Sequence, residues 1–187
     1  MDALSELLRA VKLSGAMFYV AECSKPWRVM APSAHKLGRY VAPNASHVIE
    51  FHLATKGAGY VRVGDETTPF AAGDLFMIPH GDPHEMGNGL GAELTDASKG
   101  LPRLLSGGLA CARFGGGGEE TRLVCGYLAC EAGLIRPLLA GLPRIVRVHL
   151  RNDSAGEWLE NSIVHAVERA SASAPGSGVI LARLAEV

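Results

Sequence analysis

The chain has 187 residues, of which 48% are hydrophobic and 20% charged, enough apolar material for one packed domain with a small appendage. Its 18 basic and 19 acidic side chains nearly cancel. That leaves no basic surplus to meet a nucleic-acid backbone, so the chain is not expected to bind DNA by itself. The four cysteines, Cys23, Cys111, Cys125 and Cys130, form no CxxC pair, which argues against a structural zinc site or a disulfide framework. No signal-peptide pattern and no apolar run of about 18 residues occurs, which predicts a cytoplasmic protein without a membrane span.

The first predicted element is an amphipathic helix. Leu4, Leu7, Leu8 and Val11 recur at helical spacing, Asp2 can cap the start, and Gly15 closes it. From residue 16 the period turns strand-like. "AMFYVAEC", "WRVMAP", "HVIEFHLAT", "GYVRVGDE" and "DLFMIPH" are short runs separated by Gly, Pro, Asp and Asn, with a hairpin expected at Gly64-Asp65. Such regular spacing predicts a sandwich or small barrel. Residues 86–119 are glycine-rich, ending in "GGGG" at Gly115 to Gly118, and read as a flexible flap with "LPRLLS" as a short helical turn. Glu119 and Glu120 follow where a phosphate-binding loop needs Lys and Ser or Thr, which excludes that motif.

Strand character returns in "ETRLVCGYLACE" and "RIVRVHL", with a short helix or turn at "IRPLLAGLP" between them. Cys125 and Cys130 lie five apart and should face opposite sides of their strand. A helix beginning near Asp153 or Ser154 is expected to present Trp158, Leu159, Ile163, Ala166 and Val167 on one face. After the linker "SASAPGSG", "VILARLAEV" starts a further helix without a stop signal, a pattern that reads as a chain continuing into another domain.

Gly73, Pro79, Gly81, His84 and Asn88 match, spacing for spacing, the second signature of the cupin superfamily. Glu50 and Gly57 match the latter half of the first signature, whereas its two histidines, metal ligands in cupin enzymes, are absent from "VAPNAS". Taken with "LSELLRAVKLSG", "FGGGGEETRLVCGYLACE", "PLLAGLPRIVRV" and "GVILARLAEV", the whole chain resembles the effector-sensing cupin domain of AraC-type transcription regulators. That resemblance implies a mainly β, cupin-like double-stranded β-helix (jelly-roll) barrel with an N-terminal helix and C-terminal helices. It divides the chain into a sensor barrel, 1–150, and a helical dimerisation and linker segment, 151–187. It further implies a small-molecule effector, a homodimer, and DNA contact only through a C-terminal domain outside this chain.

Glu50 and His52 are two apart on one strand and share a face; the cupin position of Glu50 makes that face the barrel interior, which His84 should enter from the opposite strand. His47 falls on the other face. Cys125 could be folded toward the same place by the flap. Glu50, His52, His84 and Cys125 are donors suited to zinc or another divalent transition ion. Alternatively Glu50, His52 and His84 hydrogen-bond each other and a water. An effector pocket would be lined by Glu50, His52, Tyr60, Phe76 and His84, unless these aromatics merely fill a closed barrel. His35, His80, His149 and His165 read as surface residues, and Trp158, Leu159, Ile163 and Val167 as the dimer surface. The expected function is thus a ligand-sensing, dimerising, non-enzymatic regulatory domain; the alternative is a cupin metalloenzyme of dioxygenase or isomerase type, built on Glu50, His52 and His84.

Overall fold

The computed structural model describes residues 14–99 and 110–171. The expected N-terminal helix, the "LPRLLS" turn and the last helix lie outside these residues. Two sheets face each other across one lumen. The first contains β1 (Ser14–Ser24), β3 (His47–Lys56), β6 (Asp74–Ile78), β9 (Ala110–Gly115), β10 (Glu120–Cys130) and β11 (Val146–His149), in the order β11-β6-β3-β10-β1-β9. The second contains β2 (Trp27–Ala31), β4 (Ala58–Val63), β5 (Glu66–Ala71), β7 (His84–Asn88) and β8 (Leu94–Asp96), in the order β5-β4-β7-β2-β8. Among the described residues the helices are α1 (Ala34–Val41), α2 (Ala132–Leu139) and α3 (Ser154–Ser171).

Side-chain alternation accounts for the core. Ala21, Cys23, Leu123 and Cys125 of the first sheet and Val29, Val61, Val63 and Met86 of the second turn inward into one buried cluster. The intervening residues Val20, Phe51, Leu53 and Val124 point out of the first sheet, where Ile163, Ala166 and Val167 of α3 cover them. Burying each of these large aliphatic side chains contributes roughly 1.5–3 kcal/mol. A strand covered on both sides shows no polar alternation, and His47–Lys56 is indeed buried almost throughout. Cys125 and Cys130 face opposite sides as expected, the second packing with Ile49 and Leu139 outside the barrel.

The β4–β5 hairpin closes at Gly64-Asp65, with Val63 opposite Glu66 and Gly64 at a φ of 57°. The glycine-rich region is less loose than its composition suggests. Its described parts form β7, β8, a 3-10 turn at Ala97–Lys99 and β9. The four glycines turn β9 into β10 and are pinned to the β1–β2 turn by Gly116 N–H to Ser24 O and Gly118 N–H to Lys25 O. A Cβ on Gly115 would stand 1.8 Å from Ser24 O, so only glycine permits this approach. The sequence reading passed over α1, which Ser33 caps and whose Leu37 is buried against the lumen.

Candidate functional site

Antiparallel register builds the site. His52 pairs with Cys125 on β10 and with Phe76 on β6, so imidazole, thiol and phenyl ring project from neighbouring strands. Glu50 lies two residues before His52, opposite Tyr127 and Ile78. His84 begins β7 in the facing sheet, after the Pro79 to Pro83 turn has carried the chain across. Glu50, His52, Phe76, His84 and Cys125 are all buried. His52 stacks on Phe76 at 5.1 Å between ring centroids, and Phe76 on Phe70 at 5.0 Å.

Three contacts form a chain whose polarity can be assigned. His84 Nδ1 lies 3.1 Å from the Asp82 carbonyl, which only accepts, so this nitrogen carries the proton. Burial holds the His84 imidazole down at about 4, against a pull upward from the Asp82 carbonyl, so the ring is neutral at pH 7 and its Nε2 is bare. His52 Nε2, 2.8 Å away, therefore donates to it. Burial first, and the neighbouring His84 second, also keep His52 neutral. Its bare Nδ1 then accepts the Cys125 thiol, 2.9 Å distant. Burial drives that thiol well above its ordinary value, consistent with its keeping the proton.

Glu50 stands apart from this chain. Burial pushes its carboxyl up to about 8, and its Oε1 has no hydrogen-bond partner. It is one of the residues around an almost wholly apolar cavity of about 50 Å³ between the sheets, walled by Tyr19, Trp27, Val29, Leu37, Met86, Phe114 and Leu123, with His52 and Cys125 beside it. At about 10–15 Å³ per water measured this way, there is room for a few waters or one small ring.

The ligand atoms of Glu50, His52 and His84 lie within 4.8 Å of one another, and two imidazoles with a carboxylate suit a divalent transition ion. The unpaired Glu50 oxygen and the facing Nε2 atoms fit such a group in chemistry. Two imidazoles on one ion with metal–nitrogen bonds of about 2.0–2.1 Å sit further apart than 2.8 Å, so the histidines would first have to separate. Cys125 is at the site through its β10 register, not through movement of a flap, and it meets the far nitrogen of His52.

Tyr60 does not line the lumen. Val61 and Val63 of β4 take the inward positions, and Tyr60 and Arg62 alternate outward. There Tyr60 Oη donates to Glu85 Oε1 at 2.5 Å, Arg28 grips both Glu85 oxygens at 3.0 and 2.9 Å, and Arg62 reaches Oε2 at 2.6 Å. The sequence reading missed this cluster; Arg28, Arg62 and Glu85 on strands of alternating pattern were its available signal. It also missed Tyr19, Trp27, Leu37 and Phe114 as walls of the cavity.

The remaining histidines lie where expected, with qualifications. His35, His80 and His165 are exposed. His47 bonds Pro79 O at 2.7 Å on the opposite face from Glu50. His149 is half-exposed and donates from Nδ1 to the buried Asp74 carboxylate at 2.9 Å. On α3, Ile163 and Val167 are buried against the chain's own sheet and Leu159 packs beside them, so they offer no free dimer surface. Trp158 points away from that face and is 57% exposed.

Comparison with known proteins places this geometry. A family model described as cupin matches residues 2–187. The chain belongs to the cupin family. All of it aligns with 58% of the HTH-type transcriptional regulator AlkR of Acinetobacter baylyi, at 23% identity over 201 residues. The expected kinship with the cupin-type domains of AraC regulators stands on these two matches. The chain spans a little over half the length of AlkR. Among solved structures it is similar to ToxT of Vibrio cholerae O395, with a TM-score of 0.40, 7% identity, and coverage of 95% of this chain and 52% of that one. Ylba of E. coli gives a TM-score of 0.32 at 10% identity, covering 58% and 33%. Among the described residues no helix is long and apolar enough to cross a membrane.

Proposed function

We propose that this chain is the effector-binding part of a transcription regulator, with DNA contact made by a segment outside it. The observation that carries the reading is the position of the cavity. Its walls and the seat of α3 are opposite faces of the same strands. Glu50 and His52 look inward while Phe51 and Leu53 touch the α3 cluster; Cys125 looks inward while Val124 looks out. A ligand that shifts β3 or β10 therefore moves the surface on which α3 rests.

A second tie joins α3 to the same sheet. Leu150 N–H donates to Gly73 O at 2.8 Å, and Arg151 makes a two-pronged bond to Glu160 of α3 at 2.8 and 2.7 Å. Regulation requires that the effector bind two arrangements of this helix with different affinity. In this reading the chain works as a homodimer, and the segment from residue 151 onward passes the change to the partner and to the DNA-binding part. The chain is then not an enzyme, and its setting is the cytoplasm.

The Glu50, His52 and His84 cluster supports a second reading, a metal-binding cupin. When bound there, a divalent ion would supply Lewis-acid polarisation of a ligand oxygen. Glu50 would offer its unpaired oxygen, and His84 would be oriented by its Nδ1 bond to Asp82. Metal content by mass spectrometry on the untagged chain, repeated on His84→Ala, separates the readings. The regulator reading with an organic effector expects no stoichiometric metal in either protein. Near-equimolar metal in the parent that disappears from the variant would move the assignment to the metal-binding cupin.

A further inference from the structure

The cavity between the sheets is almost wholly apolar, although Trp27, Glu50, His52 and Cys125 stand around it with polar groups. Those groups are not presented to it. His52 spends its two nitrogens on His84 and Cys125, at 2.8 and 2.9 Å. Glu50 Oε1 and Trp27 Nε1 have no partner, and both atoms are themselves closed off from the cavity. No lysine or arginine lines it. A water in such a space needs about two to four polar partners, which these walls do not supply, so the cavity favours an apolar guest over solvent. The walls are rich instead in rings, from Tyr19, Trp27 and Phe114, and in sulfur, from Cys23, Met86 and Cys125. A polar or charged ligand would be stripped of its water there and gain no hydrogen bond in return.

Size is the second constraint. A dry cavity of about 150 Å³ takes a benzene ring, and this one, at about 50 Å³, has about a third of that volume. One wall also resists expansion. Trp27, Val29 and Ala31 on β2 and Met86 on β7 belong to strands that the Arg28–Glu85 pair ties together.

We infer that the cavity takes a compact hydrocarbon of about two to four heavy atoms, selected by its size and by its lack of hydrogen-bonding groups. This deepens the effector-binding reading and rests on it. Ile163 and Val167 of α3 rest on the back of the same sheet, so they report on transmission separately from binding.

The test is a titration of the full isotope-labelled chain, followed through its methyl and indole N–H signals by NMR. The probes are isobutene, acetone, which puts a carbonyl oxygen into the same shape, and benzene, which exceeds the cavity. Isobutene should shift the signals of Trp27, Val29, Leu37, Met86 and Leu123. It should bind at least about tenfold more tightly than acetone, whose carbonyl would be left unpaired. Benzene should leave these signals unmoved in the parent and shift them in Leu37→Ala, which removes a wall side chain. The parent series carries the test even if Leu37→Ala folds poorly. Isobutene that moves the Ile163 and Val167 methyl signals together with the cavity signals supports both the ligand class and the effector-binding reading. Cavity signals that move while those of α3 stay would uphold the ligand class and overturn the effector-binding reading. Acetone binding as tightly as isobutene, or benzene binding the parent as tightly, would overturn the ligand class while leaving a ligand-binding lumen. No shift with any probe would overturn both.

Discussion

The two sheets are made of similar strands and have opposite outer faces. The six-stranded sheet carries α3 on its back, so β3 and β10 are buried on both sides. The five-stranded sheet turns its back outward, and the centre of that face is polar: Glu85 is held by Arg28, Arg62 and Tyr60. The first sheet can transmit a movement of the lumen because something rests on it. The second has a charge cluster where the first has an apolar helix, and that cluster fixes β2, β4 and β7 relative to one another. One wall of the cavity is thus coupled to a helix and the other is braced.

The largest effect should come from breaking the covered side. Ile163→Asp places a carboxylate in the buried apolar cluster of Val20, Phe51, Leu53 and Val167. The expected loss is about 4 kcal/mol, a large part of a domain's total stability. Thermal and urea melts followed by circular dichroism should show partial or complete unfolding. A variant that melted like the parent while changing only its association would return Ile163 to the dimer surface predicted from the sequence.

The braced side should respond less. Glu85→Gln keeps a partner for Tyr60 but loses the charge between two arginines, whose side chains are 33% and 41% exposed. A loss of about 1–2 kcal/mol at pH 7 is expected, reduced from a fully buried pair by solvent screening. The effect also has a pH window. The Arg28 hydrogen bonds, with those of Tyr60 and Arg62, hold the Glu85 carboxyl down at about 2, against 4.5 when unperturbed. The folded state then binds fewer protons than the unfolded state between these values. The stability that Glu85 contributes is complete above pH 4.5 and is lost as pH falls toward 2. Urea midpoints at pH 7, 4 and 3 should converge for parent and variant; parallel curves would mean that the cluster does not stabilise the fold through its charge.

The same contrast explains what could be read beforehand. Glu50 and His52 were placed on one face by their two-residue spacing and inward by the cupin position of Glu50, and the second cupin signature supplied His84. Tyr60 was misplaced because its aromatic character was given more weight than the alternation around it. Val61 and Val63 were the inward pair, and Arg62 shared Tyr60's side. Trp158 failed in the same way. Leu159, Ile163, Ala166, Val167 and Ala170 form the helical stripe, whereas the positions four and seven beyond Trp158 are Ser162 and His165. Local pattern could not show that Trp27 and Glu50 share a cavity, or that Cys125 meets His52. Both depend on pairing between strands far apart in the chain. Helix α1 was hidden by its eight-residue length and by Gly38, which passes close to Val48 with 3.3 Å from a Cβ position to its side chain.

Trp158 provides the smallest change in stability and the sharpest test of the covered side's outer surface. It is 57% exposed on α3, away from the sheet, with Ser154, Ala155, Asn161 and Ser162 as its helical neighbours. Removing an exposed indole costs the protomer little, so Trp158→Ala should melt within about 0.5 kcal/mol of the parent. If α3 pairs two chains, a large aromatic among small residues is the type of side chain that anchors the contact, and its loss weakens association out of proportion to its effect on folding. Light scattering over a concentration series should then show a dimer in the parent and a monomer in Trp158→Ala, while melts taken at concentrations where the parent is also dissociated coincide. Unchanged mass would place the dimer contact on another surface, and would leave α3 coupled to the lumen but not to a partner through this residue.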